Sequence, residues 1–372
     1  MKKLSFVLMV LTVLSLVFVL NSCGAATALD ENGIEYTFDN STGTYVLSDA
    51  SAATSKSVTI PAKLEDFPVR IAAGSLKTST TIETLTIESG VEVEEKGFES
   101  ASVKKIVLPK GFELKGADFE GCTALEEVVF PSDITKLPYS LFKGCTSLKS
   151  VVIPEGVESF GAIFEGCTSL ESITLPSTLK TIQGGAFKNC TTLKEVHIAD
   201  LKAWCQMDFT NNGTLSSDNN PFFTRASLFV DGKQVTDLVI PEGVTEIKPG
   251  AFNGASGIKT LTIPASVKKI GHFAFAGCSD IETVNLTNGL EQIAHNAFAV
   301  TAIKTLTIPA SVNYVGEDVV VECNELTNVY FSSTSGWTTW MYSHDEPVSV
   351  SDSKANAELM KSYDNYHYEK KN

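Results

Sequence analysis

A chain of 372 residues with 43% hydrophobic and 20% charged residues has the composition of a folded protein, not a disordered one. Its net charge of −15 repels phosphate backbones, and no basic stripe or base-stacking motif offsets it, so nucleic acid is excluded as an expected partner. Length alone suggests two or three domains, but the internal repeats below make one elongated repeat body the better expectation.

Lys2 and Lys3 precede an uncharged apolar run from Leu4 to Leu20, and Asn21, Ser22 and Cys23 follow. These are the charged and apolar regions of a secretory signal, predicted over 1–22. Leu20-Asn21-Ser22-Cys23 resembles the lipobox of bacterial lipoproteins, which implies cleavage before Cys23 and lipidation of its thiol. The alternative is an uncleaved anchor, since 17 apolar residues approach the lower limit for a span. Acyl chains contribute about 0.8 kcal/mol per buried CH₂, enough to tether a soluble body to a membrane surface. Gly24 after the cysteine leans towards the outer membrane by the same resemblance. Loss of 1–22 removes Lys2 and Lys3 and takes the charge from −15 to −17.

Residues 23–32 are predicted to be a polar tether, and 33–54 a hairpin cap. Ile34, Tyr36 and Phe38 alternate with polar residues, Asp39-Asn40-Ser41-Thr42-Gly43 supplies the turn, and Tyr45 and Leu47 resume the alternation. An open solenoid end exposes core, so this hairpin is expected to be its lid.

From 55 to 330 the chain repeats itself. LEEVVFPSDITKLPYSLFKGCTS, LKSVVIPEGVESFGAIFEGCTS and LESITLPSTLKTIQGGAFKNCTT follow one another from Leu125, and a period of 22 to 23 residues is a solenoid signature. Units start at Ser55, Ile82, Val103, Leu125, Leu148, Leu170, Leu193, Val235, Ile258, Ile281 and Ile303, with a remnant at Leu326. Apolar residues fall at places 1, 4, 6, 10, 13 and 18, with proline usually at 7 and a small residue or cysteine near 21. These steps suit a coil with short straight sides. Val128-Val129-Phe130 and its equivalents read as short strands ending at proline, paired in parallel between turns at about 4.8 Å. The Phe142 segment reads as a turn or brief helix.

In-register stacking predicts which residues meet. Place 2 runs Lys104, Glu126, Lys149, Glu171, Lys194, which sets opposite charges side by side; register setting is the expected role and a charged docking strip the alternative. Place 5 faces outward and runs Val107, Val129, Val152, Thr174, His197, Val239, Thr262, Asn285, Thr307, Tyr330. Such a semi-apolar stripe is what a broad protein-binding face needs, and also what strand propensity alone selects. From Val129 to Tyr330 it is the candidate binding face.

The unit at Leu193 is 42 residues long, 19 more than usual. Its insertion, about 200–234, mixes a polar loop with Trp204, Phe209, Phe222, Phe223 and Phe229. Insertions often lie on the binding face, which makes Trp204, Phe222 and Phe223 candidate contacts; burial as a satellite core is the favoured alternative. Asp208, Asp218, Asn219 and Asn220 match no calcium loop. In 331–372, the predicted C-terminal cap, Trp337, Trp340 and Met341 suit an apolar plug. Asp352 to Tyr363 suits a short helix capped by Ser351 or Asp352, with Leu359 and Met360 inward.

Eight cysteines invite a disulfide framework, but Cys122, Cys145, Cys167, Cys190, Cys278 and Cys323 share one repeat place that is elsewhere Ala101, Ala255 or, allowing a gap, Val300. The expectation is a buried small slot filled by free thiols, with Cys205 undecided. No CxxC, HExxH, GxSxG, GxxxxGK[ST] or GxGxxG arrangement occurs, and His197, His272, His295, His344 and His367 are scattered singly. No catalytic residue, metal or cofactor is expected.

The unit LxxVxIPxxVxxIxxxxFxxCxxL resembles the BspA-like class of bacterial leucine-rich repeats over about 55–330, and the insertion looks like a recurrent feature of that class. It departs from ordinary leucine-rich repeats in lacking the asparagine after LxxLxL. The resemblance implies a repeat solenoid of the leucine-rich repeat type: parallel β-strands, short turns or brief helices per coil, an N-terminal β-hairpin cap and a C-terminal cap. It also implies a surface protein with a host matrix or other cell-surface protein as partner. The expected function is therefore a lipid-anchored binding or adhesion protein of the cell envelope, with a carbohydrate-capturing or structural envelope lipoprotein as alternative.

Overall fold

The computed structural model describes residues 17–20, 26–211, 213–335, 337–341, 344–347, 350–361 and 367–370. Most of the predicted leader, with Cys23, lies outside these residues. The chain divides into two compact units, Met1–Pro131 and Ser132–Asn372.

In the N-terminal unit the cap extends further back than the hairpin expected from sequence. Glu35–Asp39 pairs antiparallel with Thr44–Asp49, Ala26–Leu29 pairs with Glu35–Asp39, and Val17–Leu20 pairs with Ala26–Leu29. Part of the expected tether is thus a strand. The cause is Asp30, whose carboxylate accepts the backbone N–H groups of Asn32 and Ile34 and folds the chain back on itself. Ala28, Ile34, Tyr36 and Leu47 are buried. At the hairpin turn, hydrogen bonds from Ser41 and Thr42 hold the Asp39 carboxyl down to about 2. Thr44–Asp49 then pairs in parallel with Phe67–Ile71, which passes the ladder to Glu92–Val93. A separate row, at place 4 of the repeat, stacks Ser57–Ile60, Thr84–Ile87, Lys105–Val107 and Glu127–Val129, all parallel and in register.

The C-terminal unit repeats the same two-row coil. Its first row carries Ser150–Val152, Ser172–Leu175, Glu195–Ile198 and Ser227–Val230, then Asp237–Val239, Thr260–Ile263 and Thr283–Leu286, then Thr305–Ile308 and Asn328–Phe331. Its second row carries Ser159–Gly161 and Thr181–Gln183, then Glu246–Ile247, Lys269–Ile270, Gln292–Ile293 and Tyr314–Val315. This second row, centred on place 13, went unseen in sequence because two or three residues are too few to show an alternation. Between the rows the core is built of repeated side chains. Leu148, Val151, Ile153, Val157 and Phe164 and their equivalents are buried, and the corner rings stack turn on turn, with Phe142 to Phe164 at 5.6 Å and Phe252 to Phe275 at 5.3 Å.

The Phe corners are turns. Among the described residues the α-helices are Leu201–Trp204 and Ser353–Lys361. Asp352 caps the second by accepting from the N–H groups of Lys354 and Ala355. Its inward face is Asn356, Ala357 and Met360, with Leu359 only half-buried. Asn356 donates to the Val329 carbonyl, so the cap is hydrogen-bonded to the last repeat strand. Trp337 is buried edge-on to Phe331 at 5.0 Å, while the side chains of Trp340 and Met341 fall outside the described part.

Candidate interaction face

In a parallel in-register stack, alternate side chains of each strand point to the same side, and one repeat place becomes a continuous stripe. Place 4 points in and is buried, as at Val151, Ile173, Val196, Leu238 and Leu261. Place 5 points out. In the N-terminal unit it pairs Val107 with Val129. In the C-terminal unit it runs Val152, Thr174, His197; then Val239, Thr262, Asn285; then Thr307 and Tyr330. Val152, Val239 and Tyr330 are 62%, 58% and 49% exposed, Asn285 and Thr307 are exposed, and Thr174, His197 and Thr262 are intermediate. Place 3 lies on the same side and is mostly hydroxylated, with Ser150, Ser172, Thr260, Thr283 and Thr305.

The insertion alters this face in a way the repeat count does not show. The strand beside Glu195–Ile198 is Ser227–Val230, drawn from the insertion, and His197 registers with Phe229, not Val239. The two rings stack at 4.6 Å. The long unit is therefore two turns, the second supplying its own strand and a hairpin through Asp231-Gly232 to Lys233–Gln234. An Asp-Gly pair between β-forming residues was the available signal for it.

The remainder of the insertion packs inward. Asp200 caps the short helix Leu201–Trp204 through the N–H groups of Lys202 and Ala203. Trp204, Met207, Phe209 and Phe222 are buried, with Trp204 edge-on to Phe209 at 5.4 Å and to Phe222 at 5.5 Å, and its indole N–H donating to the Ala251 carbonyl at 2.8 Å. Trp204 and Phe222 are consequently core, not surface contacts, because a desolvated indole with its N–H satisfied gains more from burial than from exposure. Phe223 alone of the three candidates is exposed, at 55%. Sequence reasoning also missed Tyr139, exposed at 62% with its ring over the backbone of Gly184, where an added Cβ would meet the hydroxyl at 2.7 Å.

Place 2 carries ion pairs within each compact unit, some of them beyond the stretch from Lys104 to Lys194. Glu83 lies between Lys56 at 2.8 Å and Lys104 at 3.6 Å; Glu171 meets Lys194 at 3.4 Å and Glu282 meets Lys304 at 2.9 Å. Each pair joins neighbouring turns, the geometry of a register lock. The hydrogen bond and charge of Lys304 hold the Glu282 carboxyl below its usual range.

All seven described cysteines are buried free thiols. They do more than fill space. Cys122, Cys167, Cys190, Cys278 and Cys323 place Sγ 2.7 to 3.1 Å from the corner phenylalanine carbonyl of the preceding turn, each an S–H donor that adds to the hydrogen bond this carbonyl already accepts within its own turn. The residue in this slot of the Ile281 unit is Thr301, buried with its hydroxyl donating to the Phe298 carbonyl; Val300 is exposed, and no gap is needed. Burial pushes the thiols of Cys122, Cys190, Cys205 and Cys278 up to about 12.

Among the described residues no three His, Cys, Asp or Glu side chains are grouped to hold a metal. A shallow groove of about 270 Å³ is lined by Glu158, Ser177, Thr178, Leu179, Lys180, Ala203 and Gln206, and its two charged residues pair with each other at 2.7 Å. What the surface offers is a broad, hydroxylated sheet face with isolated apolar side chains, suited to spread contact.

The family description that matches is the BspA type leucine rich repeat region (6 copies), over residues 51–163, 91–216 and 224–344. No curated protein matches the chain. Among solved structures, a leucine-rich repeat protein from Bacteroides ovatus is 23% identical with a TM-score of 0.44, covering 80% of this chain and 86% of its own. The pneumococcal vaccine antigen PcpA is 22% identical with a TM-score of 0.46, covering 83% and 82%. A leucine rich cell surface protein from Faecalibacterium prausnitzii is 20% identical with a TM-score of 0.36, covering 83% and 95%.

Proposed function

The chain belongs to the BspA type leucine-rich repeat family, and on that premise we propose that it is a lipid-anchored binding protein of the cell envelope that holds a protein partner against its outward sheet face. The observation that carries this is the alignment of exposed Val152, Val239 and Tyr330 at one repeat place of the C-terminal unit. Solvent-facing valine and tyrosine contribute nothing to the core there, and partner burial of apolar area stabilises by about 25 cal/mol per Å². Phe223 adds an exposed aromatic from the insertion. The Leu20-Asn21-Ser22-Cys23 sequence supports processing and lipidation at Cys23, which would display the body outside the cytoplasm.

A screen of residues 24–372 against surface and matrix proteins and against glycans tests the partner class, and Val152→Asp/Val239→Asp tests the face. Deleting 200–234 is not a usable variant, since it removes a paired strand and a core cluster. The double variant is expected to fold as the parent does and to lose at least tenfold in affinity for a captured protein. Capture of soluble sugar alone, or undiminished binding by the variant, would refute the reading. Palmitate labelling abolished by Cys23→Ala tests the anchor separately.

A further inference from the structure

At the Phe corners, away from the sheet face, the turns before and after the insertion present different surfaces. The residue two before the thiol slot is Lys143, Glu165 and Lys188 in consecutive turns before it, and these pair with one another, Glu165 lying 3.9 Å from Lys143 and 3.1 Å from Lys188. After the insertion the same place is Ala276, Ala299 and Val321, which form a small buried cluster of their own. Around them stand three large apolar side chains open to solvent: Phe223 at 55%, Val300 at 41% and Phe273 at 38%.

These three are neighbours. A Cβ added to Gly254 would lie 3.3 Å from the Phe223 Cα, one added to Gly277 would lie 3.5 Å from the Gly254 Cα, and the Gly277 N–H donates to the carbonyl of Ala299, next before Val300. Phe273 shares a corner with Ala276, whose N–H its carbonyl accepts. Phe223 and Val300 are thus three turns apart, roughly 14 Å, with two glycines leaving a gap between them. Core packing does not hold these side chains in place, and backbone preference opposes two of them. Val300 and Phe273 sit at φ +59° and +56°, a region that β-branched and bulky residues rarely adopt, and the equivalents of Val300 at Gly144, Gly166, Gly254 and Gly277 are glycine.

At the rim of the gap lies a cation. Arg225, also exposed, reaches past the Gly254 turn to donate to the hydroxyl of Ser279, two residues beyond Gly277. Asp280, next in the chain, accepts the Gly257 N–H. Among the described residues Arg225 makes no ion pair, whereas the chain's other arginine, Arg70, pairs with Asp39 and Glu94. An exposed guanidinium beside an apolar gap favours a carboxylate as partner. A second copy of this chain brings the same net charge of −15 and is repelled, and an anionic lipid surface requires a cluster of cations, not a single arginine.

We propose that this corner docks a short acidic segment of a partner protein, with an apolar side chain of the segment seated between Phe223 and Val300 over Gly254 and Gly277, and an adjacent Asp or Glu carboxylate paired with Arg225. The site goes beyond the sheet-face reading and does not depend on it.

The test selects a displayed library of random octapeptides on the full chain and measures the enriched peptides, synthesised with blocked termini, by fluorescence anisotropy. Peptides with Asp or Glu within two residues of an apolar side chain are expected. Arg225→Glu should weaken them by about tenfold or more, and Lys in place of the peptide carboxylate should restore binding to that variant. Val152→Asp/Val239→Asp should bind them as the parent does, so a failure of the sheet face is read apart from a failure here. No enrichment, peptides without a carboxylate, or affinity unmoved by Arg225→Glu overturns the proposal, as does self-association of the parent that Phe223→Ser abolishes, which makes a second copy the occupant. Should Arg225→Glu not fold, the ¹H–¹⁵N shifts that the peptide induces in the parent decide: they are expected at Gly254, Gly277 and Val300, and shifts confined elsewhere overturn it.

Discussion

Within the C-terminal unit, the regular turns and the long turn at Leu193 solve one packing problem in two ways. A regular turn spends few residues on its corner: one phenylalanine ring on the ring below, one thiol on the carbonyl below. Every element has a copy above and beneath, so each contact is small and repeated. The long turn has no such copies. It closes its stretch of core with Trp204, Phe209 and Phe222 packed edge to face, and anchors them by the indole hydrogen bond to Ala251, by Asn219 donating to the Phe209 carbonyl and by Asn220 accepting the Phe222 N–H. Repetition spreads stability, and the interruption concentrates it.

The contrast is sharpest under truncation. Trp204→Ala removes the centre of the aromatic cluster and strands the Ala251 carbonyl, so denaturant unfolding should show a loss of about 3–5 kcal/mol. At a regular corner, Cys278→Ala removes one sulfur and one donor and should lose about 1–2 kcal/mol by the same measurement. Cys278→Thr, which copies the residue nature has placed at Thr301, should lose less than the alanine variant. A loss at Cys278 as large as at Trp204 would break the comparison.

The smallest effect belongs to the charge ladder. Glu282 is held below its usual 4.5 by the hydrogen bond and charge of Lys304, so this pair supports the fold above that value and ceases to as pH falls through the lowered one. Because both groups are exposed, the support should vanish in high salt. Glu282→Gln should flatten the acid limb of the thermal unfolding profile at low salt and change nothing at high salt.

Much of this molecule is legible in its repeats. Place 4 buried, place 5 facing outward, the strand ending near proline and the charge alternation all follow from a period of 22 to 23 residues and parallel stacking. The candidate face was readable as a stripe for that reason. Its true neighbours were not: Phe229 sits beside His197 because the insertion contributes a strand, and no residue count announces which of two strands will pair. Trp204 and Phe223 look equally apolar in sequence, yet one is buried and the other exposed. The thiol hydrogen bonds were hidden likewise, since alanine and cysteine at one place suggest volume alone.

Periodicity by itself therefore determined the coil, its pitch and its inside and outside, because each unit can bury its apolar side chains only against another copy of itself. Tertiary structure alone decided what happens where the period fails or is too brief to be seen. The second strand row, the extra turn at Leu193 and the hydrogen bonds of His295 to Tyr314 and Glu317 all depend on which residues of different turns are brought within hydrogen-bonding distance. That is a property of the stacked chain, and no single repeat contains it.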